Sequence, residues 1–374
     1  MDNIYFSPTN GRLLLSNTYQ LMRSGSQAFG VASVQQVNIT LSDTSLSGTT
    51  SLTGFTDLSR MVVFESHSVT NTTPSIMYNA YHQLDAYVSA INEVTISRGA
   101  TVAGISITAT LFVVQFSSGT SVYKGTYSMN TSTLIHDVSI GSDILTGNTF
   151  SKHHISSTSV SRINDDGDPN DRTVSVIFLN STTLRFQRTN SSKGSVSGHW
   201  FVVSHPELEV THGTFSTTGD VAFGITAIDT SNTFLLASDY STIQNYNGEA
   251  LWALWTDGLF IRTDSTYEGT GEVVFYQLIK HTGLVVQQPR WATSLTTNDA
   301  SITISSVDLS RTIAIDTLRS EYCQQDGYAE TTLHRKFFRK TLDNNVTTSM
   351  SVTDRNGTSG VNVPWNIIQF PLIS

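Results

Sequence analysis

Three landmarks recur in the same order four times along the chain, and tandem self-similarity decides an architecture before any single motif does. An Asp-x-Ser signature opens each unit, at Asp57-Leu58-Ser59, Asp137-Val138-Ser139, Asp229-Thr230-Ser231 and Asp308-Leu309-Ser310. A strand-like segment ending in an arginine follows, at Arg98, Arg188, Arg262 and Arg355. An apolar and aromatic run closes the unit: 111–116, 200–205, 274–279 and 365–370.

The segments between landmarks read as strands. Val174-Ser-Val-Ile-Phe-Leu, Thr183-Leu-Arg-Phe-Gln and Trp200-Phe-Val-Val are rich in β-branched and aromatic residues and are bounded by Gly, Asn, Asp or Ser. Helical i, i+3, i+4 spacing is weak throughout. Hairpin turns are expected at Leu179-Asn-Ser-Thr182 and at Trp255-Thr-Asp-Gly258, where Asp-Gly tolerates positive φ. The expected fold is all-β: tandem, small, antiparallel β-sandwich-like repeats with an extended N-terminal arm. Placed by the landmarks, the parts are an arm and linker over 1–53 and repeats over 54–125, 126–220, 221–299 and 300–374. Each repeat is near the size at which burial barely offsets chain entropy, so neighbouring units or subunits should share apolar surface. The alternating run Val31–Leu41 is read as a strand that pairs with a neighbouring chain, the competing reading being that it completes the first unit of its own chain.

Composition narrows the function. Charged residues are 14% of the 374, the formal net charge is −9, and no Lys/Arg run is present, which argues against phosphate contacts and hence against nucleic acid. Aromatic residues at 10% argue for a folded chain rather than a disordered one. The single cysteine, Cys323, excludes an intrachain disulfide and a Cys-based zinc site. No apolar stretch reaches membrane-spanning length and the first residues do not read as a signal peptide, so a product made in a cytosol, without membrane insertion, is expected.

Candidate chemistry is sparse. The cluster Asp165, Asp166, Asp168 and Asp171 around Gly167 offers hard oxygen ligands for calcium, without EF-hand spacing. His153-His154 and the trio His199, His205 and His212 lack a partner at characteristic metal spacing. Glu207 and Glu209 are a close carboxylate pair on one strand face, the minimum for glycan hydrolysis, but they follow Pro206 and read as a decorated loop. No nucleophile elbow, phosphate loop or dinucleotide fingerprint occurs, so neither catalysis nor a cofactor is expected. Tyr240, Tyr246, Trp252, Trp255 and Trp291 could supply an aromatic platform for a sugar face, whereas Phe112, Phe116, Trp200, Phe275, Trp365 and Phe370 read as the buried aromatics of the closing strands.

The repeat, with Asp57-Leu-Ser-Arg60 and Asp308-Leu-Ser-Arg311 before an apolar strand, an arginine-ended hairpin and an aromatic closing strand, resembles tandem β repeats of tailed-bacteriophage virion proteins. Those are proteins of the tail-fibre, baseplate and head-decoration kind. The resemblance covers residues 55–374 and is weakest in the third unit, where Phe275-Tyr-Gln-Leu stands in place of Val-Val. It implies a non-enzymatic structural component located in the virion, a homo-oligomer whose partners are copies of itself and other virion proteins. The alternative is a host-attachment module, lectin-like, that reads bacterial surface glycan.

Overall fold

A computed structural model describes residues 5–6, 13–14, 28–71, 83–158, 174–188, 194–217, 223–225, 228–241, 249–255, 258–264, 272–294, 299–316, 338–352, 360–371 and 373. The chain is almost entirely β, and its only helical pieces among the described residues are single 3-10 turns. Outside the units lies a two-strand pair, β1 (Tyr5–Phe6) with β2 (Leu13–Leu14). The first unit contains β3 (Val31–Leu41), β4 (Ser47–Ser51), β5 (Met61–Asn71), β6 (Asp85–Ala90), β7 (Glu93–Ser97) and β8 (Ile105–Phe116). The second contains β9 (Ser121–Met129), β10 (Ile135–Ser139), β11 (Thr149–His153), β12 (Ser156–Ser157), β13 (Ser175–Asn180), β14 (Thr183–Gln187) and β15 (Val196–Ser204). The third contains β16 (Glu209–Thr217), β17 (Phe223–Ile225), β18 (Thr233–Ser241), β19 (Glu249–Trp255), β20 (Gly258–Asp264) and β21 (Glu272–Lys280). The fourth contains β22 (Val285–Gln287), β23 (Arg290–Ser294), β24 (Asp299–Thr303), β25 (Thr312–Asp316), β26 (Phe338–Asn344), β27 (Thr347–Val352) and β28 (Gly360–Gln369).

Every unit has one topology, two antiparallel sheets built from six strand positions. In the inner sheet the last strand lies between the first and third, as in β3-β8-β5 and β16-β21-β18; in the outer sheet the fifth lies between the second and fourth, as in β4-β7-β6 and β17-β20-β19. The last strand is central and buried on both faces, which is why its sequence is a continuous apolar run rather than an alternation. Along β8, Leu111 and Val113 join the core of their own unit, while Phe112, Val114 and Phe116 join a core shared by all four units.

That shared core closes the units into a ring. Lys124 Nζ of the second unit donates to the carbonyls of Leu58 (2.6 Å) and Met61 (3.1 Å) of the first. His212 Nε2 of the third donates to Thr146 O (2.9 Å) and Thr149 O (3.1 Å), the corresponding carbonyls of the second. Val286 N–H of the fourth donates to Ser231 O of the third at 2.8 Å. Ser66 Oγ and Gln36 Oε1 of the first accept from Lys340 N–H (3.0 Å) and Leu342 N–H (2.8 Å) of the fourth. The Ser66–Lys340 bond has its counterpart between Ser238 Oγ and Val176 N–H (3.1 Å) at the seam of units 2 and 3.

Strand pairing draws the units differently from the landmarks. The strand Val31–Leu41, expected in an arm over 1–53, pairs along its length with β8 of its own chain and is the first strand of unit 1. The unit limits therefore fall in the links 117–120, 205–208 and 281–284, ahead of positions 125, 220 and 300, because the Asp-x-Ser landmark comes after the first two strands of a unit. Asp137-Val138-Ser139 is not the counterpart of Asp57: it lies inside β10, where Asp137 pairs with Arg185, and the true counterpart turn, Thr146–Asn148, has Leu145 at its cap and no side-chain cap bond. Arg262 lies inside β20 opposite Leu251, and Arg355 lies outside the described residues. In unit 3 the closing motif is shifted by two: Tyr276, not Val274, matches Leu111, Trp200 and Trp365, as the registers to the first strand show.

Candidate functional site

With that register Phe116 ends β8 while His205, His281 and Phe370 directly follow β15, β21 and β28, and all four residues converge on one ring, Phe29. Its centroid lies 6.0 Å from Phe116, 5.5 Å from His205, 5.1 Å from His281 and 6.2 Å from Phe370. Phe29 is 1% exposed, so it fills the pole where the four units meet. Both histidines present Nδ1 as an acceptor, His205 to Glu207 N–H (3.1 Å) and His281 to Gly283 N–H (2.9 Å), which places the neutral-form hydrogen on Nε2. His281 Nε2 faces Glu207 Oε2 at 3.4 Å. The same oxygen accepts the Phe29 N–H at 2.9 Å, and that bond, with the two histidines, holds the Glu207 carboxyl below its ordinary pKa.

One turn each from units 2, 3 and 4 borders this pole. Asn148, Asn232 and Arg311 offer their carbonyls to the N–H groups of His205 (3.1 Å), His281 (3.2 Å) and Phe370 (2.9 Å). Asp57 and Asp308 cap their turns through the serine two residues on and also hold Arg60 and Arg311; Asp229 caps its turn through Ser231 and holds only the Asn232 amide. The serine hydroxyl bonds lower the pKa of all three carboxyls. The Asp-x-Ser signature is therefore a capping device.

The densest buried titratable cluster lies at the seam of units 1 and 2. Glu65 bonds His67 through Nδ1, and His154 Nδ1 stands 4.0 Å from the other Glu65 oxygen. Burial opposes the Glu65 charge, but His67, His154 and Lys152 more than offset it and its pKa falls below the ordinary value. Burial, with Lys152 near, pushes His154 down to about 4; its Nε2–H donates to Val63 O at 3.1 Å. Beside it, Asp85 bonds the His199 backbone (3.0 Å) and ring (2.8 Å), and the His199 ring stacks on Tyr87 at 3.9 Å. His154 and His199 serve as seam ties, and no group of three His, Cys, Asp or Glu side chains is arranged to hold a metal among the described residues. Neither does any helix of the described residues have the length and apolarity to cross a membrane.

The sequence-derived candidates are dispersed. Tyr240 lies on β18, Trp252 and Trp255 on β19 and Trp291 on β23; their side chains, Tyr246 entirely, and Asp165, Asp166, Asp168 and Asp171 lie outside the described residues. Of the closing-strand aromatics, Phe112, Phe116, Trp200, Trp365 and Phe370 are buried and Phe275 is half-buried. Glu207 belongs to the pole, whereas Glu209 pairs with Lys280 at 2.9 Å, so the two carboxylates do not share a site. No family model, curated protein or solved structure matches the chain. The sequence reading missed Phe29, Glu65 and His67; only the ring closure, a long-range property, brings them to their partners. A cleft of about 180 Å³ opens between units 2 and 3, lined by Phe178, His212, Thr214, Phe275 and Tyr276. The polar atoms of neighbouring Gln277 are spent on the backbone of Ser151, both at 2.8 Å.

Proposed function

We propose that the chain is a non-enzymatic structural subunit of a bacteriophage particle, of the tail-fibre, baseplate or capsid-surface kind, acting in many copies. The observation that carries this reading is ring closure: Gln36 and Ser66 of unit 1 hold Leu342 and Lys340 of unit 4, so four sandwiches form one body around a single core. Such a body is suited to bear load, because no unit can rotate without breaking two seams. Among the described residues, Asp57, Asp229 and Asp308 are engaged in caps, and Asp85, His154, His199 and His212 in seams. The outer strands β4 and β10 alternate exposed with half-buried residues, and small hydroxyl-bearing side chains dominate β4, a surface suited to repeated lateral contact.

Antibody raised against the purified chain, applied to gradient-purified phage particles that carry its gene, tests this reading. Regular decoration of head or tail is the expected result. Recovery of the chain only in the particle-free fraction overturns it.

A further inference from the structure

The seams of units 1 and 2 and of units 2 and 3 each set one side chain from the first strand of the later unit against two turn carbonyls of the earlier one. Lys124 and His212 fill this cradle at the first two seams. At the seam of units 3 and 4 the corresponding carbonyls are those of Thr230 and Thr233, and the strand is held there by the 2.8 Å bond from Val286 N–H to Ser231 O. The register that pairs Gln287 with Ile367 and Arg290 with Pro364 makes Gln288 the counterpart of Lys124 and places it opposite Asn366. Asn366 is fully buried, and neither amide has a hydrogen-bond partner at its oxygen or its nitrogen.

The counterpart of Asn366 at the previous seam shows why. Gln277 reaches across to both the N–H and the carbonyl of Ser151, whereas Asn366 is one methylene shorter. Buried amides without partners are costly, so two of them facing each other across the strands call for a polar guest. Charge indicates its sign. The other Asp-capped turns balance their carboxylate with Arg60 or Arg311, but among the described residues Asp229 is bonded by Ser231 and Asn232 and by no arginine, and nearby Lys280 is shared with Glu209.

We propose that Gln288 and Asn366, with the carbonyls of Thr230 and Thr233, form a buried site for a monovalent cation of the potassium class. The ion takes the place that the Lys124 ammonium occupies at the first seam. Neutral amide and carbonyl oxygens are the hard donors such an ion uses, and potassium sheds its water more readily than a divalent ion does.

Thermal melting of the full chain in potassium, sodium and choline chloride at equal ionic strength tests the site. A melting point higher in potassium than in choline by about 2 °C is expected when the ion stands at ten times its dissociation constant. Gln288→Lys, which supplies its own ammonium, should abolish that difference. A crystal grown in potassium and soaked in rubidium chloride should show an anomalous peak between Gln288 and Asn366. Equal melting of the unsubstituted chain in all three salts, a salt difference that survives Gln288→Lys, or a seam without a rubidium peak each overturns the proposal.

Discussion

Arg98 and Arg188 hold matching loops in the same way in two different units. Arg98 donates from Nε to Ser45 O (2.9 Å), from Nη1 to Ile105 O (3.0 Å) and from Nη2 to Ser42 O (2.5 Å). Arg188 donates from Nε to Thr133 O (3.0 Å), from Nη1 to Gly194 O (2.9 Å) and from Nη2 to Asn130 O (2.5 Å). Both residues are 3% exposed, and neither makes its three bonds to a carboxylate. In units 1 and 2 the arginine landmark is thus a loop anchor, with the planar guanidinium replacing a stretch of strand pairing.

Lysine cannot reproduce that fork, so Arg98→Lys and Arg188→Lys should each destabilise by about 2–4 kcal/mol through carbonyls left without donors. Urea melts check this. Because the two anchors lie in separate units without shared partners, the double variant should lose the sum of the two effects.

How far the sequence leads is clear from these arginines. Strand content, the two hairpins and the four-fold repeat are local properties, carried by β-branched alternation and turn residues, and they are legible. The phase of the repeat is not, because Asp-x-Ser marks a cap in the middle of a unit, and Leu145 replaces the aspartate in unit 2. Nor is the register of β21: a slip of two residues preserves the alternation, so Val274 and Tyr276 are equally good starts until the partner strand is known. The pole around Phe29 and the seam at Glu65 depend on contacts between residues far apart in the chain, and no periodicity encodes them.

Phe29 should be among the most costly positions to truncate. It touches the last strand ends of all four units, so Phe29→Ala leaves a cavity where they meet and should cost about 3–5 kcal/mol. The loss should appear as one cooperative transition at lower denaturant. Separate melting of individual units in the unsubstituted chain would contradict the shared core.

Acid should weaken the seam of units 1 and 2. Folded His154 takes up its proton only near pH 4, against 6.5 in the unfolded chain, so between these values the unfolded state binds more protons. Stability therefore falls as pH drops from about 6.5 towards 4, by on the order of 3 kcal/mol from this group. His154→Gln retains a donor for the Val63 carbonyl and should remove this part of the pH dependence. Denaturant melts from pH 7.5 to 4.5 decide it, and an unchanged acid slope in the variant would place the effect elsewhere.

The final prediction concerns how the last strand meets the first. Gly125 pairs with Trp200, and a Cβ on Gly125 would lie 2.6 Å from Trp200 Cζ2; Gly213 pairs with Tyr276, and there the distance to Cζ is 2.1 Å. At both places a large ring lies across a residue without a side chain. Unit 1 uses the opposite solution, with Val37 on the first strand and the smaller Leu111 facing it. The pair can therefore be exchanged, large for small, only if both members change. Gly125→Val should overpack the site and cost about 1–3 kcal/mol. Trp200→Leu should leave a void and remove the Nε1 bond to Thr126 O (3.3 Å), costing about 2–4 kcal/mol. Carrying both, the chain adopts the unit 1 arrangement within unit 2, so its loss should be smaller than the sum by about 1–2 kcal/mol, as expected for residues in direct contact. A double-mutant cycle by urea denaturation measures the coupling, and strict additivity would show that the two positions are not alternative solutions to one packing problem.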